Sequence, residues 1–383
     1  MYKIGVLLPR STFYGSIGFD IAEGIKAGFK HLQREDIEIV IENIGFGSEK
    51  QLCYQAAENL LLKADVQIVV AYLGQRMAQL LRPLFMSANR LLVVLDAGAN
   101  MPQEWPVSNN IIYHSLHDSL CCWMSSKLAI RDGHKKGGMV TCYYDGGYLH
   151  TFGISQSFVN DGGEITFNHA TGYTKDAFSM AELDSHLEKN PDSCLLSIFS
   201  ANYTQWFFEK LNDSVKDKNP KIYASSFMME ENMLSQLNFP DLDVKGVVSW
   251  SKELQNEQNK YFLESMENIG REANLFSLIA WESTSLIIEC VKLLDENSKK
   301  VASAVQHLKT FSFESPRGKI TFDTKSMHSL SPLYEAALIE DETGMSKLKI
   351  VQELKEVEKE FGIMQQIELN GVISGWYNSY TCI

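Results

Sequence analysis

A strand-then-helix rhythm runs through this chain twice, and that repetition limits the possible fold more than any single motif. Apolar runs begin near Ile4, Ile37, Val66 and Leu91, at spacings of 33, 29 and 25 residues. Helix-patterned segments lie between them at Asp20 to Leu32, Glu49 to Lys63 and Arg76 to Ala88. A second series begins near Gly138, Glu164, Ser193 and Lys221, at spacings of 26, 29 and 28. Its helices fall near Tyr148 to Asn160, Phe178 to Lys189 and Tyr203 to Val215. The first unit shows the pattern: Ile4 to Pro9 is a short apolar run ended by proline, Ser11 to Gly15 is polar, and Ile21, Ile25, Phe29 and Leu32 then share one helical stripe. Short connections between such units favour parallel strands with helices over both sheet faces. The expected fold is α/β, with two doubly wound parallel-sheet lobes and a ligand cleft between them.

Beyond the second series the rhythm stops. Val244 to Trp250 reads as one more strand, followed by helices at Gln255 to Ile269, Leu275 to Leu294 and Val301 to Lys309, and a strand at Lys319 to Phe322; these could complete either lobe. Tyr334 to Ile339 and Lys347 to Gln352 flank Glu340-Asp341-Glu342-Thr343-Gly344, a hairpin signal. Ile350, Leu354, Val357 and Phe361 also fit a helix, and the hairpin is preferred for the first half of that stretch. The last 20 residues, with Gly375-Trp376-Tyr377-Asn378-Ser379-Tyr380, declare no element.

Composition removes several functional classes. With 48 acidic against 35 basic residues among 383, the net charge of -13 repels a phosphate backbone, so nucleic acid is not an expected partner. No run approaches the roughly 20 apolar residues that cross a bilayer, so direct membrane insertion is not expected. No signal-peptide pattern precedes the first strand. The seven cysteines show neither CxxC spacing nor a dense disulfide pattern, and they read as small buried hydrophobes. No cofactor is indicated: GxGxxG, GxxxxGK[ST] and GxSxG are all missing, and Gly133 to Gly138 has the wrong spacing for phosphate. His114 and His117 with Asp118 suggest a metal cluster, but no HExxH motif or comparable further ligand is nearby, so no metal is expected there. The missing chemistry points to a binder rather than an enzyme.

In open α/β sheets ligands sit outside the carboxyl ends of the strands, where helix N-termini offer unpaired N–H groups. That rule selects Ser11, Thr12, Phe13 and Tyr14 after the first strand, Tyr72, Leu73, Gly74 and Gln75 after the third, and Asp96, Ala97 and Gly98 after the fourth. In the second lobe it selects Asp145, Gly146, Gly147 and Tyr148, then Ser200, Ala201, Asn202 and Tyr203, then Ser226 and Phe227. Such a set suits a small organic ligand held by stacking and a few hydrogen bonds. Each residue has a plainer use: Phe13 and Tyr72 can pack under a loop, Asp96 can cap the following segment, and Trp206, Phe207 and Phe208 suit a core.

Ile4 to Lys30, with Tyr14-Gly15, Gly18 and Gly24-Ile25-Lys26-Ala27-Gly28, resembles the start of the type I periplasmic binding proteins of the leucine/isoleucine/valine-receptor family. The Val69-Val70-Ala71-Tyr72 strand end and the Asp145-Gly146-Gly147-Tyr148 turn extend the likeness over most of the chain. Ser108 to Tyr113, Ser315-Pro316-Arg317-Gly318 and Met327-His328-Ser329 look like segments of the amide- and urea-binding branch. The resemblance implies three crossovers, placed near Ser115, Trp250 and Phe322. Residues 1–115 plus 251–322 then form one lobe, and 116–250 plus 323–383 the other, with an extra tail from about 354. It implies a non-catalytic receptor that closes on a small-molecule ligand and delivers it to an ABC permease. If the chain is exported, a signal was removed and the protein is periplasmic or lipid-anchored, which is the favoured case. If Met1 is the native start, it is a cytoplasmic sensor acting on a regulatory protein. Two departures bear on the ligand: Gln75 takes the place of the family's carboxylate-holding hydroxyl residue, and Phe227 that of its acidic ammonium partner. Tyr148 matches the family's cleft tyrosine, and His150 falls where the amide branch carries a second aromatic. A closed cleft lacking both charge partners disfavours an α-amino acid zwitterion and favours a neutral or aromatic-bearing polar ligand.

Overall fold

In both lobes the alternation of side chains along each strand decides which helices cover it. The structure is a computed structural model that describes residues 2–214, 219–239, 241–296, 298 and 300–382; Met1, Val215 and Ile383, named above, lie outside the described residues. Strands β1 (Tyr2–Leu8), β2 (Ile37–Asn43), β3 (Ile68–Tyr72), β4 (Leu91–Asp96) and β5 (Ile111–Ser115) form a fully parallel sheet in the order β2-β1-β3-β4-β5. Ile4, Val6, Val70, Val93 and Leu95 point to the face covered by helices Ile17–His31 and Leu275–Glu296. Leu7, Val69, Ala71, Leu92 and Val94 point the other way, under helices Lys50–Glu58 and Gln75–Ala88. Both faces are buried, which is why these strands read as continuous apolar runs.

Helices Ile17–His31 and Leu275–Glu296 approach closely because of two glycines. A Cβ on Gly24 would lie 2.5 Å from the Ser277 carbonyl oxygen, and one on Gly28 would lie 2.5 Å from Thr284 Oγ1. The Gly24 to Gly28 stretch thus serves helix packing.

The second lobe carries β6 (Lys136–Cys142), β7 (Glu164–Thr171), β8 (Cys194–Ile198), β9 (Ile222–Ala224) and β10 (Val244–Val248), parallel in the order β7-β6-β8-β9-β10. A small antiparallel sheet of β11 (Phe313–Ser315), β12 (Gly318–Phe322) and β13 (Ser329–Leu330) follows in the chain. The hairpin of β14 (Tyr334–Glu340) and β15 (Ser346–Glu353) then adds to β10 in antiparallel sense, completing a seven-stranded sheet. The competing helical pattern is realised only afterwards, in helix Val357–Met364 with Phe361 buried.

Periodicity missed the short strands β11 and β13, the four-residue helix Glu231–Leu234, β5, and helix Asp118–Arg131. Leu120, Cys121, Cys122, Trp123, Met124, Ser125 and Ser126 are consecutive and all buried in that helix, so it has no polar face to reveal a 3.6-residue period. Among the described residues no helix is long and apolar enough to cross a membrane.

Between the lobes lies a buried ionic cluster. Arg317, fully buried, donates from Nε to Glu282 Oε1 at 3.0 Å, from Nη2 to Glu282 Oε2 at 2.7 Å, and from Nη1 to the Ser115 carbonyl at 3.0 Å. His114 donates from Nε2 to Glu282 Oε2 at 3.0 Å, while its Nδ1 accepts from Ser329 Oγ at 2.9 Å. That arrangement suits a neutral imidazole, and burial lowers the His114 pKa. Burial opposes the charge on Glu282, but the Arg317 guanidinium and the His114 bond prevail and hold its pKa down to about 2. Ser115, at the end of β5, is thereby tied to the Arg317 turn between β11 and β12.

Candidate functional site

The space between the two sheets is filled by the chain's own tail. Segment Ser374–Cys382 has no regular secondary structure, yet Ser374, Asn378, Ser379, Tyr380, Thr381 and Cys382 are all buried. Its backbone is held from both sides. From the first lobe, Arg76 Nη1 donates to the Gly375 carbonyl at 2.9 Å, Tyr72 Oη to the Tyr380 carbonyl at 3.2 Å, and Ser11 Oγ to the Thr381 carbonyl at 2.5 Å. Ser11 Oγ also accepts from the Phe13 and Tyr14 amides at 3.1 Å, so the loop after β1 orients the hydroxyl that meets the tail.

From the second lobe comes a relay. The Thr381 amide donates to Tyr144 Oη at 3.0 Å, the Tyr144 and Tyr148 hydroxyls are 3.1 Å apart, and Tyr148 donates to the Asn378 carbonyl at 3.4 Å. Since Tyr148 spends its proton on a carbonyl, Tyr144 donates to Tyr148. The Asn378 amide turns back onto the Cys382 carbonyl and closes a tight loop in which Thr381 takes φ 76°, uncommon for a β-branched residue.

Tyr380 is the tail's anchor. Its hydroxyl donates to Asp145 Oδ1 at 2.7 Å. Its ring stacks on Tyr144 (6.0 Å between centroids, 8° between planes) and meets Tyr148, His150 and Phe227 edge-on at 5.0, 4.9 and 5.1 Å. Asp145 is fully buried after β6 and also accepts from Ser200 Oγ at 2.7 Å, the Ser200 amide at 3.2 Å and Cys142 Sγ at 2.9 Å. Burial raises its pKa against these donors. His150 faces an acceptor on each ring nitrogen: Asp118 Oδ2 lies 2.6 Å from Nδ1 and the Asp145 carbonyl 2.8 Å from Nε2. Two acceptors require an imidazolium. Burial works against that charge, but the Asp118 contact outweighs it and the pKa is raised.

The other residues selected at the strand ends are distributed unevenly. Phe13 packs edge-on against Tyr144 and Tyr203 at 6.0 and 5.3 Å, spanning the lobes, and Tyr14 packs against Phe276 at 5.0 Å. Asp96 is buried with Ser115 Oγ at 3.3 Å, and burial pushes its pKa up to about 7. The Ala97 carbonyl accepts from the Asp118 amide at 3.1 Å. Tyr203 sends its hydroxyl to the Tyr173 carbonyl at 3.1 Å. Gln75 turns aside and donates to the Glu104 carbonyl, and Asn202 is exposed at the start of helix Ala201–Ser214. Of the selected site residues, Tyr72, Tyr148, His150 and Phe227 touch Tyr380.

Sequence reasoning selected Ser11 and Asp145 at the strand ends but missed Tyr144 as a contact residue, and the tail entirely. His114 and His117 point to the interlobe cluster, His117 to the Ser329 carbonyl. Among the described residues, Asp118, Cys122 and His150 place metal-ligating atoms within 4.8 Å of one another. Asp118 is already committed, however, to His150 and to Ser226 Oγ at 2.5 Å, and burial holds the Cys122 thiol well above its ordinary pKa. The donor set fits an internal hydrogen-bond network rather than a cation.

Comparison with known proteins agrees with this architecture. A family model described as "Periplasmic binding protein" matches residues 1–341. A Leu/Ile/Val-binding protein homolog 6 from Brucella abortus is 23% identical over 366 residues, covering 90% of each chain. An ABC transporter substrate-binding protein from Sphaerobacter thermophilus superposes with a TM-score of 0.80 at 14% identity, covering 92% of this chain and 97% of that one. A solute-binding protein of an ABC transporter from Rhodopseudomonas palustris HaA2, in complex with p-hydroxybenzoic acid, gives 0.78 at 18% identity with the same coverage. The chain therefore belongs to the type I periplasmic binding proteins, in the Leu/Ile/Val-binding class.

Proposed function

We propose that this protein is the solute-receiving component of an ABC importer and that it holds a small, neutral or aromatic-bearing polar ligand between lobes 1–115 plus 251–322 and 116–250 plus 323–383. Phe13, Tyr14, Tyr72, Tyr148, His150, Tyr203 and Phe227 would contact that ligand or close over it, with Asp96 and Ala97 at the base of the cleft. The observation that carries the reading is the socket around Tyr380: four aromatic or imidazole rings surround its phenol, and Asp145 accepts its hydroxyl. A phenolic, amide or hydroxyl-bearing solute suits those groups. A free α-amino acid suits them less, because Phe227 offers no partner to an ammonium group. The p-hydroxybenzoic acid complex of a fold relative supports the aromatic preference. Family membership favours delivery to a permease over regulation of a cytoplasmic partner, and with it a periplasmic or lipid-anchored location.

A thermal-shift screen followed by calorimetry tests the proposal, since a ligand of the folded state raises the melting temperature. Hydroxybenzoates, aromatic amides and urea derivatives are expected among the hits. Tight binding of leucine, isoleucine or valine, with no response to any aromatic solute, would overturn the ligand class.

A further inference from the structure

We propose that the interlobe cleft is a peptide-binding site whose resident ligand is the chain's own segment Ser374–Cys382, anchored by Tyr380, and that an external solute enters only by displacing it. The inference rests on the preceding reading in one respect, that the cleft is the binding site.

The contacts have the character of ligand recognition. Ser11, Tyr72, Arg76, Tyr144 and Tyr148 all bond to main-chain atoms of the tail, which would hold any extended peptide. The socket ending at Asp145 then selects one side chain, a tyrosine. Backbone capture combined with a side-chain pocket is how peptide-binding sites divide affinity from specificity.

Two glycines point the same way. Neither Gly74 nor Gly147 has a positive φ, so the backbone does not require glycine at either position. A Cβ on Gly74 would nevertheless lie 2.5 Å from both the Tyr377 and Asn378 carbonyl oxygens, and one on Gly147 would lie 1.8 Å from Trp376 Nε1. In each case the nearest obstructing atoms belong to the tail. Both lobes are thus relieved where the tail passes, one at the start of helix Gln75–Ala88 and the other in the turn after β6.

The tail also bridges the lobes as a closing ligand does. Tyr72 and Ser11 come from one lobe and Tyr144, Asp145 and Tyr148 from the other. A tethered segment competes at an effective concentration on the order of millimolar for a short linker, so it raises the apparent dissociation constant of every free competitor.

The test uses the full chain and reads tail release through Cys382, buried beside Tyr380, by timed alkylation with mass spectrometry, alongside hydrogen exchange of residues 374–382. The wild-type protein should label Cys382 at least tenfold more slowly than Tyr380→Ala. Gly147→Ala, which leaves every tail residue intact, should also accelerate labelling and keeps the test valid if Tyr380→Ala folds poorly. A synthetic peptide of residues 376–383 should bind folded Tyr380→Ala, and its own Tyr380→Phe version should bind at least threefold more weakly. The same peptide should bind the wild type at least tenfold more weakly than it binds Tyr380→Ala. Equal Cys382 labelling in wild type and both variants would overturn the proposal, as would no peptide binding to folded Tyr380→Ala. If an aromatic solute binds the wild type without exposing Cys382, the tethered-ligand proposal fails and the solute reading stands. If the peptide binds Tyr380→Ala and no solute does, the solute reading fails and this one stands.

Discussion

Removing Arg317 should cost the fold several kcal/mol. The side chain is fully buried and makes bidentate contact with Glu282, at 3.0 and 2.7 Å, together with bonds to the Ser115 carbonyl at 3.0 Å and Ser331 Oγ at 3.2 Å. In Arg317→Ala the Glu282 carboxylate stays buried with His114 as its remaining charge-relevant donor, and the Ser115 carbonyl loses a partner. Breaking a buried ion pair from one side costs about 3–5 kcal/mol. The acid titration gives a second route. The Glu282 pKa is held at about 2 against an ordinary 4.5, a shift worth roughly 3 kcal/mol. A depressed carboxylate pKa contributes stability that is fully present above the unfolded value near 4.5 and is lost as pH falls towards 2. Urea unfolding at pH 7 should therefore lower the midpoint by about 1 M, taking a slope near 3 kcal/mol/M. The wild-type advantage over Arg317→Ala should shrink between pH 4.5 and 2. Arg317→Met with Glu282→Leu should recover most of the loss, because it removes the stranded charge. A loss below about 1 kcal/mol in Arg317→Ala at pH 7, or one unchanged at pH 3, would refute the reasoning.

Tyr148→Ala should weaken the solute found by screening more than about tenfold, on the order of 2 kcal/mol for a buried aromatic contact; an unchanged calorimetric dissociation constant removes Tyr148 from the site. His150 should titrate by NMR with a midpoint above 6.5, since Asp118 outweighs its burial. Its raised pKa contributes stability fully present below the unfolded value and lost as pH rises through the folded one, and Asp118→Asn should lower the midpoint. Gly28→Ala should destabilise by about 1–2 kcal/mol despite better helix propensity, because overpacking against Thr284 outweighs that gain; a higher urea midpoint would show that the helices can move apart.

What the sequence disclosed follows from where the information is stored. The strands around Ile4, Val69 and Leu92 announce themselves because both faces are buried and local runs of β-branched and aliphatic residues result. Helix Asp118–Arg131 is hidden for the opposite reason: burial all round erases the period. The hairpin after Tyr334 and the helix at Val357 share one apolar pattern, and pairing with β10 decides where strand gives way to helix. Strand-end logic picked Tyr148, Phe227 and Tyr72, and topology brings all three against Tyr380. The same logic picked Gln75 and Asn202, yet side-chain direction takes one to Glu104 and the other to solvent. The tail was illegible because its partners are about 230 to 370 residues away in sequence and its turn has no repeat. Its one signal was Trp376, Tyr377 and Tyr380 gathered after the final helix, an aromatic density that an exposed tail would not need.

The seven cysteines, all unpaired and all buried, acquire another meaning if the protein is exported. An oxidising compartment converts accessible thiols to disulfides, and 21 wrong pairings are open to seven thiols in an unfolded chain. In the native state burial pushes Cys53 and Cys194 up to about 12 and Cys121 and Cys122 well above their ordinary value, so little reactive thiolate exists. Protection is therefore conferred by completed folding, and the vulnerable interval is the passage from translocation to closure. Maturation becomes a race between core formation and oxidant.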